Sequence, residues 1–487
     1  MSDLNPYAGL QPEEVWKHFL ALNRIPRPSG QEAAACAYVR EVAAAAGAAA
    51  ESDAAGNVVV RVPATPGREQ APLVAVQSHL DMVCEKRPDV AHDFAVDPIR
   101  PRVEGDRVYA TGTTLGADNG IGAAMALALL TTPGLEHGPL ELVFTVEEET
   151  GLTGAMGLEP GFVHARKLIN LDSEDPREIT IGCAGGSGFT LRFPVSREPA
   201  PEGWDARELT IEGLRGGHSG VQIHEPLANA IKLLVEILRR VDDAGIPFRL
   251  ATVTGGNAHN AIPRDACAVL ALPDQQVDAF AAVMDQAQAD LRQRWLADEP
   301  GLKISVLPLP AVEPVSTAEQ TTALLKLLEE LPHGVLRMSE TFAGKVETSS
   351  NLAMARTEAD HVSIATSSRS FVAEALEQVQ EQIRATAERA GAEAELREGY
   401  PAWQPDPHSS LLRVTEQAFR EVNGHPAEVQ VIHAGLECGV IAANLPGMEA
   451  VSFGPLIRGA HTPEEYVSIP SVETSWRLLL AVLRSVQ

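Results

Sequence analysis

The chain has 487 residues, which at about 150 residues per domain implies two or three domains and an ample core. Lysine and arginine total 39 against 66 aspartates and glutamates, a formal charge of −27 at pH 7, and this excess disfavours a nucleic-acid partner or an anionic membrane surface. A hydrophobic fraction of 45% with 39 Gly and 34 Pro suits a folded globular chain rather than a disordered acidic one.

The opening MSDLNPYAGL has no basic segment followed by an apolar run, so neither a signal nor a transit peptide is expected and a cytoplasmic location follows. No apolar stretch approaches the roughly 20 residues of a membrane helix. Cys36, Cys84, Cys183, Cys267 and Cys438 are scattered without CxxC spacing, which predicts reduced, mostly buried thiols.

Up to about Asp172 helix-like and strand-like segments alternate. Gln11 to Leu22 predicts a helix with Pro12 near its start, and Gln31 to Ala46 a second one closed by Gly47. Asn57 to Val62, Leu73 to Gln77, Leu140 to Val146 and Lys167 to Leu171 are apolar runs of strand length, with a helix over Gly120 to Leu130. Strands alternating with helices imply a layered, largely parallel sheet.

From about Ile181 to Tyr400 the order changes. Strand Glu208 to Glu212, helix Pro226 to Val241, strands Phe248 to Val253 and Ala266 to Leu272, helix Gln276 to Trp295 and strand Lys303 to Leu307 form a split βαβ unit. A second mixed set follows: helix Thr317 to Leu331, three strands through Thr366, helix Val372 to Arg389 and a strand near Glu395, together a doubled lid-like domain. Helix Ser409 to Val422, strands Val429 to Ile432 and Ala450 to Phe453, and helix Ser471 to Val486 then resume the first pattern. The expected architecture is α/β: a catalytic domain (residues 1–184 and 401–487) with a mixed, mostly parallel sheet, interrupted by an inserted α+β lid (residues 185–400).

Imidazoles and carboxylates lie just past predicted strand ends. His79 and Asp81 follow one strand, Glu147 to Glu149 another, Asp172 a third, and His461 sits in a loop beyond a fourth, while Asp118 lies in a Gly-bounded loop opening a helix. In a parallel α/β sheet the carboxyl ends of strands form the ligand crevice. His and carboxylate are the ligands a zinc-like ion takes when thiolates are missing, with a second carboxylate orienting the His. Asp81, two residues beyond His79, is placed for that role. Adjacent Glu148 and Glu149 would point different ways from an extended backbone, one toward metal and one toward its water. Taken singly, each has a plain explanation: a local hydrogen bond for His79 and Asp81, a solvated turn for Glu147 to Glu149, a helix cap for Asp118, a loop acid for Asp172, a surface histidine for His461. Their joint placement favours a metal site, because such acids would be a costly like-charge cluster without a cation.

The segments Ser78-His79-Leu80-Asp81-Met82-Val83, Thr113-Thr114-Leu115-Gly116-Ala117-Asp118-Asn119-Gly120, Thr145-Val146-Glu147-Glu148-Glu149-Thr150-Gly151, Asn170-Leu171-Asp172-Ser173-Glu174 and Gly459-Ala460-His461-Thr462-Pro463-Glu464 resemble the co-catalytic metal motifs of the M20 metallopeptidases. Gly216 to Gly220 and His433 to Gly439 extend the resemblance to the aminoacyl-histidine dipeptidases of that family, essentially from end to end. The resemblance implies a zinc-peptidase-like fold and two divalent ions, zinc foremost with manganese or cobalt as alternatives. Asp118 would bridge them, one ion held by His79 and Asp172 and the other by His461 and Glu149. Asp81 would orient His79, Glu148 would be the general base, and His218 would stabilise the oxyanion. Asn260, Arg369 and Gly435 would hold the substrate backbone and its terminal carboxylate. The inserted domain would close over the substrate, and either pairs two copies into a homodimer or, being doubled, stands in for a partner subunit.

The function implied is hydrolysis of unblocked dipeptides, Xaa-His and carnosine-like ones included. The competing reading is another amidohydrolase of the same type, such as an N-acyl amino acid deacylase. A two-metal phosphoesterase is a different class that the lack of a GxxxxGK[ST] loop excludes only weakly. A non-catalytic metal-stabilised binding protein would leave Glu148 beside Glu149 without a purpose.

Overall fold

Val74–His79 and Leu140–Thr145 are buried at every position, and the successive apolar residues Val74 to Val76 and Leu142 to Phe144 fit strands covered on both faces. The computed structural model describes residues 5–310 and 314–486, and the chain divides into Met1–Cys183 with Trp403–Gln487, and Ala184–Ala402.

The discontinuous unit is built on an eight-stranded sheet in the order Ala49–Ser52, Val58–Val62, Leu140–Thr145, Val74–His79, Lys167–Asn170, Glu449–Ser452, Glu178–Cys183, Glu428–Ile432. The central four strands from Leu140–Thr145 to Glu449–Ser452 run parallel, Glu428–Ile432 is parallel to Glu178–Cys183, and the other pairings are antiparallel. The sheet is therefore mixed and mostly parallel. Helix Ala117–Thr131 is buried around nearly its whole circumference, packed against helix Glu13–Asn23 and strand Val74–His79. Glu13–Asn23 buries Val15, Phe19 and Leu22 on one stripe, each fully buried side chain contributing roughly 1.5–3 kcal/mol.

A four-stranded sheet absent from the predicted elements adds Pro101–Glu104 and Arg107–Ala110 to Tyr466–Ser468 and Ile457–Arg458. Its strands are two to four residues long, too short for periodicity to register. It matters because the bend between its last two strands carries His461.

In the inserted unit the two sets of strands stand edge to edge in a single sheet. All its long strands join one antiparallel nine-stranded sheet, ordered Lys303–Leu309, Trp204–Glu212, Ala266–Pro273, Arg249–Gly255, Val346–Thr357, His361–Ser370, Gly185–Pro194, Glu393–Tyr400, with Gly334–Met338 beside Val346–Thr357. Among the described residues the strand pairs that join the two halves are Thr254↔Arg356 and Gly255↔Ala355. Gly185–Pro194 was not among the predicted strands, and Gly185, Gly186 and Gly188 at its start carry little strand propensity. Those glycines serve close approach instead: a Cβ on Gly186 would stand 2.6 Å from the Tyr400 ring. Helix Ala230–Asp243 lays Ile231, Leu234, Leu238 and Val241 onto the core of this unit, and Asn229 caps it by accepting from Ile231 N (2.9 Å) and Lys232 N (3.2 Å).

Candidate metal centre

Strand order brings the chemistry together. Leu140–Thr145, Val74–His79 and Lys167–Asn170 are parallel neighbours, so the segments leaving their carboxyl ends lie side by side: Glu147 to Glu149, His79 to Asp81, and Asp172. The extended backbone expected at Glu148 and Glu149 is corrected to a turn. Glu147 has φ 52°, and the amides of Gly151 and Leu152 donate to the Glu148 carbonyl at 3.0 and 2.8 Å. A turn keeps both carboxylates on the same side, and both lie with His79 in one group of donor atoms within 4.8 Å of each other.

Two further groups share a residue. His79, Asp118 and Asp172 form one; Asp118, Glu149 and His461 form the other. His79 Nε2 stands 3.1 Å from Asp118 Oδ1 and 3.4 Å from Asp172 Oδ1. His461 Nε2 stands 3.2 Å from Asp118 Oδ2 and 3.1 Å from Glu149 Oε2. Each Asp118 oxygen thus faces a different imidazole. Asp118 does not cap its helix: the N-cap position is Gly116, and no side chain bonds there as a cap.

Asp81 is fully buried and spends both oxygens on this constellation. Oδ1 lies 3.2 Å from His79 Nδ1 and accepts from Glu148 N at 3.1 Å; Oδ2 accepts from Glu149 N at 3.1 Å and from Ser29 Oγ at 2.7 Å. One carboxylate therefore both lies against the His79 ring and accepts the amides of the turn that carries Glu148 and Glu149.

The electrostatics show what the cluster lacks. Burial, reinforced by the carboxylates of Asp172, Glu437 and Glu149, holds Glu148 well above the usual carboxylate range. Burial likewise pushes Asp172 to about 6, Glu174 to about 8 and Glu437 to about 7. The Asp118 and Glu149 carboxylates push His461 up to about 11, so its imidazolium supplies the positive charge the acids need. Each ring Nε2 faces two carboxylate oxygens although it has a single proton to give. Glu149 Oε1 is buried with no hydrogen-bond partner among the described residues. Two oxygen- and nitrogen-seeking divalent cations satisfy these observations, and the donor set fits them.

Three buried charges around this centre escaped the sequence reading. Glu437 Oε2 accepts from Gln77 Nε2 (2.5 Å) and Thr145 Oγ1 (2.6 Å). Arg27 donates to the carbonyls of Leu80 and Asp81 (both 2.8 Å) and of Gly116 (2.5 Å). Glu465 accepts from the amides of Leu115 (2.7 Å), Gly116 (3.0 Å), Ala117 (2.7 Å) and Asp118 (3.3 Å). The one available signal was Gln77 and Thr145 inside apolar strands, since a buried polar group demands a partner. Gly435 lies in the irregular segment preceding helix Glu437–Asn444.

In the inserted unit, Gly217–His218 pairs with Ala261–Ile262, and Ser219 N donates to Asn260 O at 2.8 Å, placing His218 and Asn260 side by side. His218 Nδ1 accepts the amides of Gly220 (3.2 Å) and Val221 (3.1 Å), which puts the ring proton on Nε2. Asn260 is exposed. Arg369 is 8% exposed on strand His361–Ser370 and donates to the Tyr400 hydroxyl. Burial, then the charges of Arg397 and Arg369, lowers the His259 pKa, so a cationic field reaches the loop that carries Asn260.

Residues 75–485 match the model of peptidase family M20/M25/M40. The chain is 39% identical over 486 residues to the cytosol non-specific dipeptidase of Escherichia coli (strain K12), covering 100% of this chain and 99% of that protein. It superposes on the crystal structure of aminoacylhistidine dipeptidase from Vibrio alginolyticus with TM-score 0.89, 38% identity and 98% coverage of both chains. Aminopeptidase PepT from Bacillus cereus shares the fold at TM-score 0.56 and 18% identity, over 98% of this chain and 99% of that one. Among the described residues no helix is long and apolar enough to cross a membrane. With this match across most of its length, the chain belongs to peptidase family M20/M25/M40.

Proposed function

We propose that this protein is a metal-dependent dipeptidase that hydrolyses the peptide bond of unblocked dipeptides, Xaa-His dipeptides included. The observation that carries the reading is the pair of donor groups sharing Asp118, set in a chain similar end to end to two dipeptidases. His79 and Asp172 would hold one divalent ion and His461 and Glu149 the other, with Asp118 between them and zinc the metal expected first. Bound there, such ions acidify water and polarise the scissile carbonyl.

The rest is done by the chain's own side chains. Asp81 Oδ1, 3.2 Å from His79 Nδ1, would keep the ring proton on Nδ1, which leaves the Nε2 lone pair for the ion. Glu148 takes a proton from the attacking water and delivers it to the departing amine. Its raised affinity for protons suits a carrier that must both accept and release near neutrality. His218, with its Nδ1 occupied by two backbone amides, can donate from Nε2 to the oxyanion of the tetrahedral intermediate. Arg369 offers a planar guanidinium for the substrate's terminal carboxylate, and Asn260 and the Gly435 segment hold the substrate backbone.

Metal analysis beside a panel of unblocked dipeptides and N-acyl amino acids tests this reading. Two equivalents of metal and release of both amino acids from free dipeptides are expected. Preference for the N-acyl set would replace the dipeptidase with a deacylase.

A further inference from the structure

Asp118 makes the contacts that join the two donor groups, yet its own peptide leaves the helical conformation, at φ −79° and ψ 112°, with Asn119 following at φ −105° and ψ 29°. Helical geometry at the start of Ala117–Thr131 therefore does not by itself set where Asp118 lies. Two buried charged side chains from distant parts of the chain do. Glu465, 2% exposed, takes four consecutive amides, those of Leu115 and Gly116 on Oε2 and those of Ala117 and Asp118 on Oε1. Arg27, 1% exposed, grips the other side through the Gly116 carbonyl.

Gly116 is thus held by its N–H on Glu465 and its C=O on Arg27. It has φ 68°, and a Cβ there would overlap the Arg27 guanidinium, so only glycine fits between the two charges. Each charge also reaches the loop of one imidazole. Arg27 bonds the carbonyls of Leu80 and Asp81, immediately after His79. Glu465 lies in the same bend as His461, between Ile457–Arg458 and Tyr466–Ser468, with its N–H on the Thr462 carbonyl at 3.1 Å.

We propose that Glu465 and Arg27 are positioning residues: they clamp residues 115–118 between the His79 loop and the His461 bend, and so set the spacing at which Asp118 serves both donor groups. Neither side chain is among the candidate ligands. Each acts through backbone, Glu465 as the acceptor of a row of amides and Arg27 as a donor to three carbonyls. The inference rests on the two-metal reading above and adds to it the origin of the spacing.

Glu465→Gln is the informative change, because it keeps the shape but leaves one oxygen for four amides. Whichever way the amide turns, its NH2 faces two backbone N–H groups. Zinc affinity measured against a competing chelator is expected to fall about 10- to 100-fold for at least one of two ions. At saturating zinc, kcat should fall about 10-fold or more while KM moves less than about 3-fold. Glu465→Asp, which keeps the charge but cannot span all four amides, should lie between wild type and Glu465→Gln, and it carries the test if the latter does not fold. A folded variant with both zinc ions bound at wild-type affinity and unchanged kcat overturns the inference while leaving the dipeptidase reading intact. A wild-type protein that binds fewer than two zinc ions overturns both.

Discussion

Asp81→Asn is the sharpest probe of how this centre is organised. The carboxylate accepts from Glu148 N, Glu149 N and Ser29 Oγ and faces His79 Nδ1, all from a position with no solvent contact. An amide of the same shape has one oxygen to offer. If that oxygen faces His79 and Glu148 N, the NH2 meets the Glu149 amide and one buried donor loses its acceptor, at a cost of about 1–3 kcal/mol in the metal-free protein. If the amide turns over, the NH2 faces His79 Nδ1, which must then accept. The ring proton would move to Nε2, the nitrogen that faces Asp118 and Asp172. Either outcome weakens the site, and metal affinity should fall about 10- to 100-fold, or about 1.4–2.8 kcal/mol. Chelator-competition titration reads the affinity and urea unfolding of the metal-free protein reads the stability. Wild-type affinity together with wild-type activity in Asp81→Asn would falsify the orienting role.

Glu148→Gln should lower kcat by about 10²-fold or more while metal content stays near wild type; loss of metal instead would mean that Glu148 is a ligand. His218→Ala should lower kcat about 10²- to 10³-fold if its Nε2 proton serves the oxyanion, and an unchanged kcat would reduce it to a loop residue. Stability should also fall in acid for a reason remote from the metal centre. Burial lowers His18, bonded to the Tyr38 and Thr131 hydroxyls, from 6.5 to about 4. The unfolded chain then binds the proton first, so this contribution is complete above pH 6.5 and is lost as pH falls toward 4, by up to about 3 kcal/mol. Urea midpoints at pH 7 and pH 4.5 should converge more in His18→Gln than in wild type; equal pH dependence in the two would refute the assignment.

Much of the site was legible because strand ends are local features. The strands ending at His79, Thr145 and Asn170 are almost wholly buried, and the metal-ligating residues stand at or just past their ends. The turn at Glu147 to Glu149 was less legible. Its conformation depends on Asp81 capturing two of its amides from 67 and 68 residues away, which no local propensity encodes. The inserted sheet was read as two sets because the strand pairs joining them among the described residues, at Thr254 and Gly255, lie about 100 residues from their partners.

By itself the sequence determined which residue types end each strand, that a β-rich insertion interrupts the α/β unit, and that acids and imidazoles outnumber any local use for them. Only tertiary structure decided that each Asp118 oxygen faces a different histidine, and that Glu465, Arg27 and Glu437 lie buried around them. The physical reason is that alternation and propensity act over a few residues, whereas a buried charge is tolerated only where distant backbone and side chains converge to satisfy it. Glu465 makes the point: in sequence it is one more acid in an acidic chain, and in the fold it accepts four amides from almost 350 residues away.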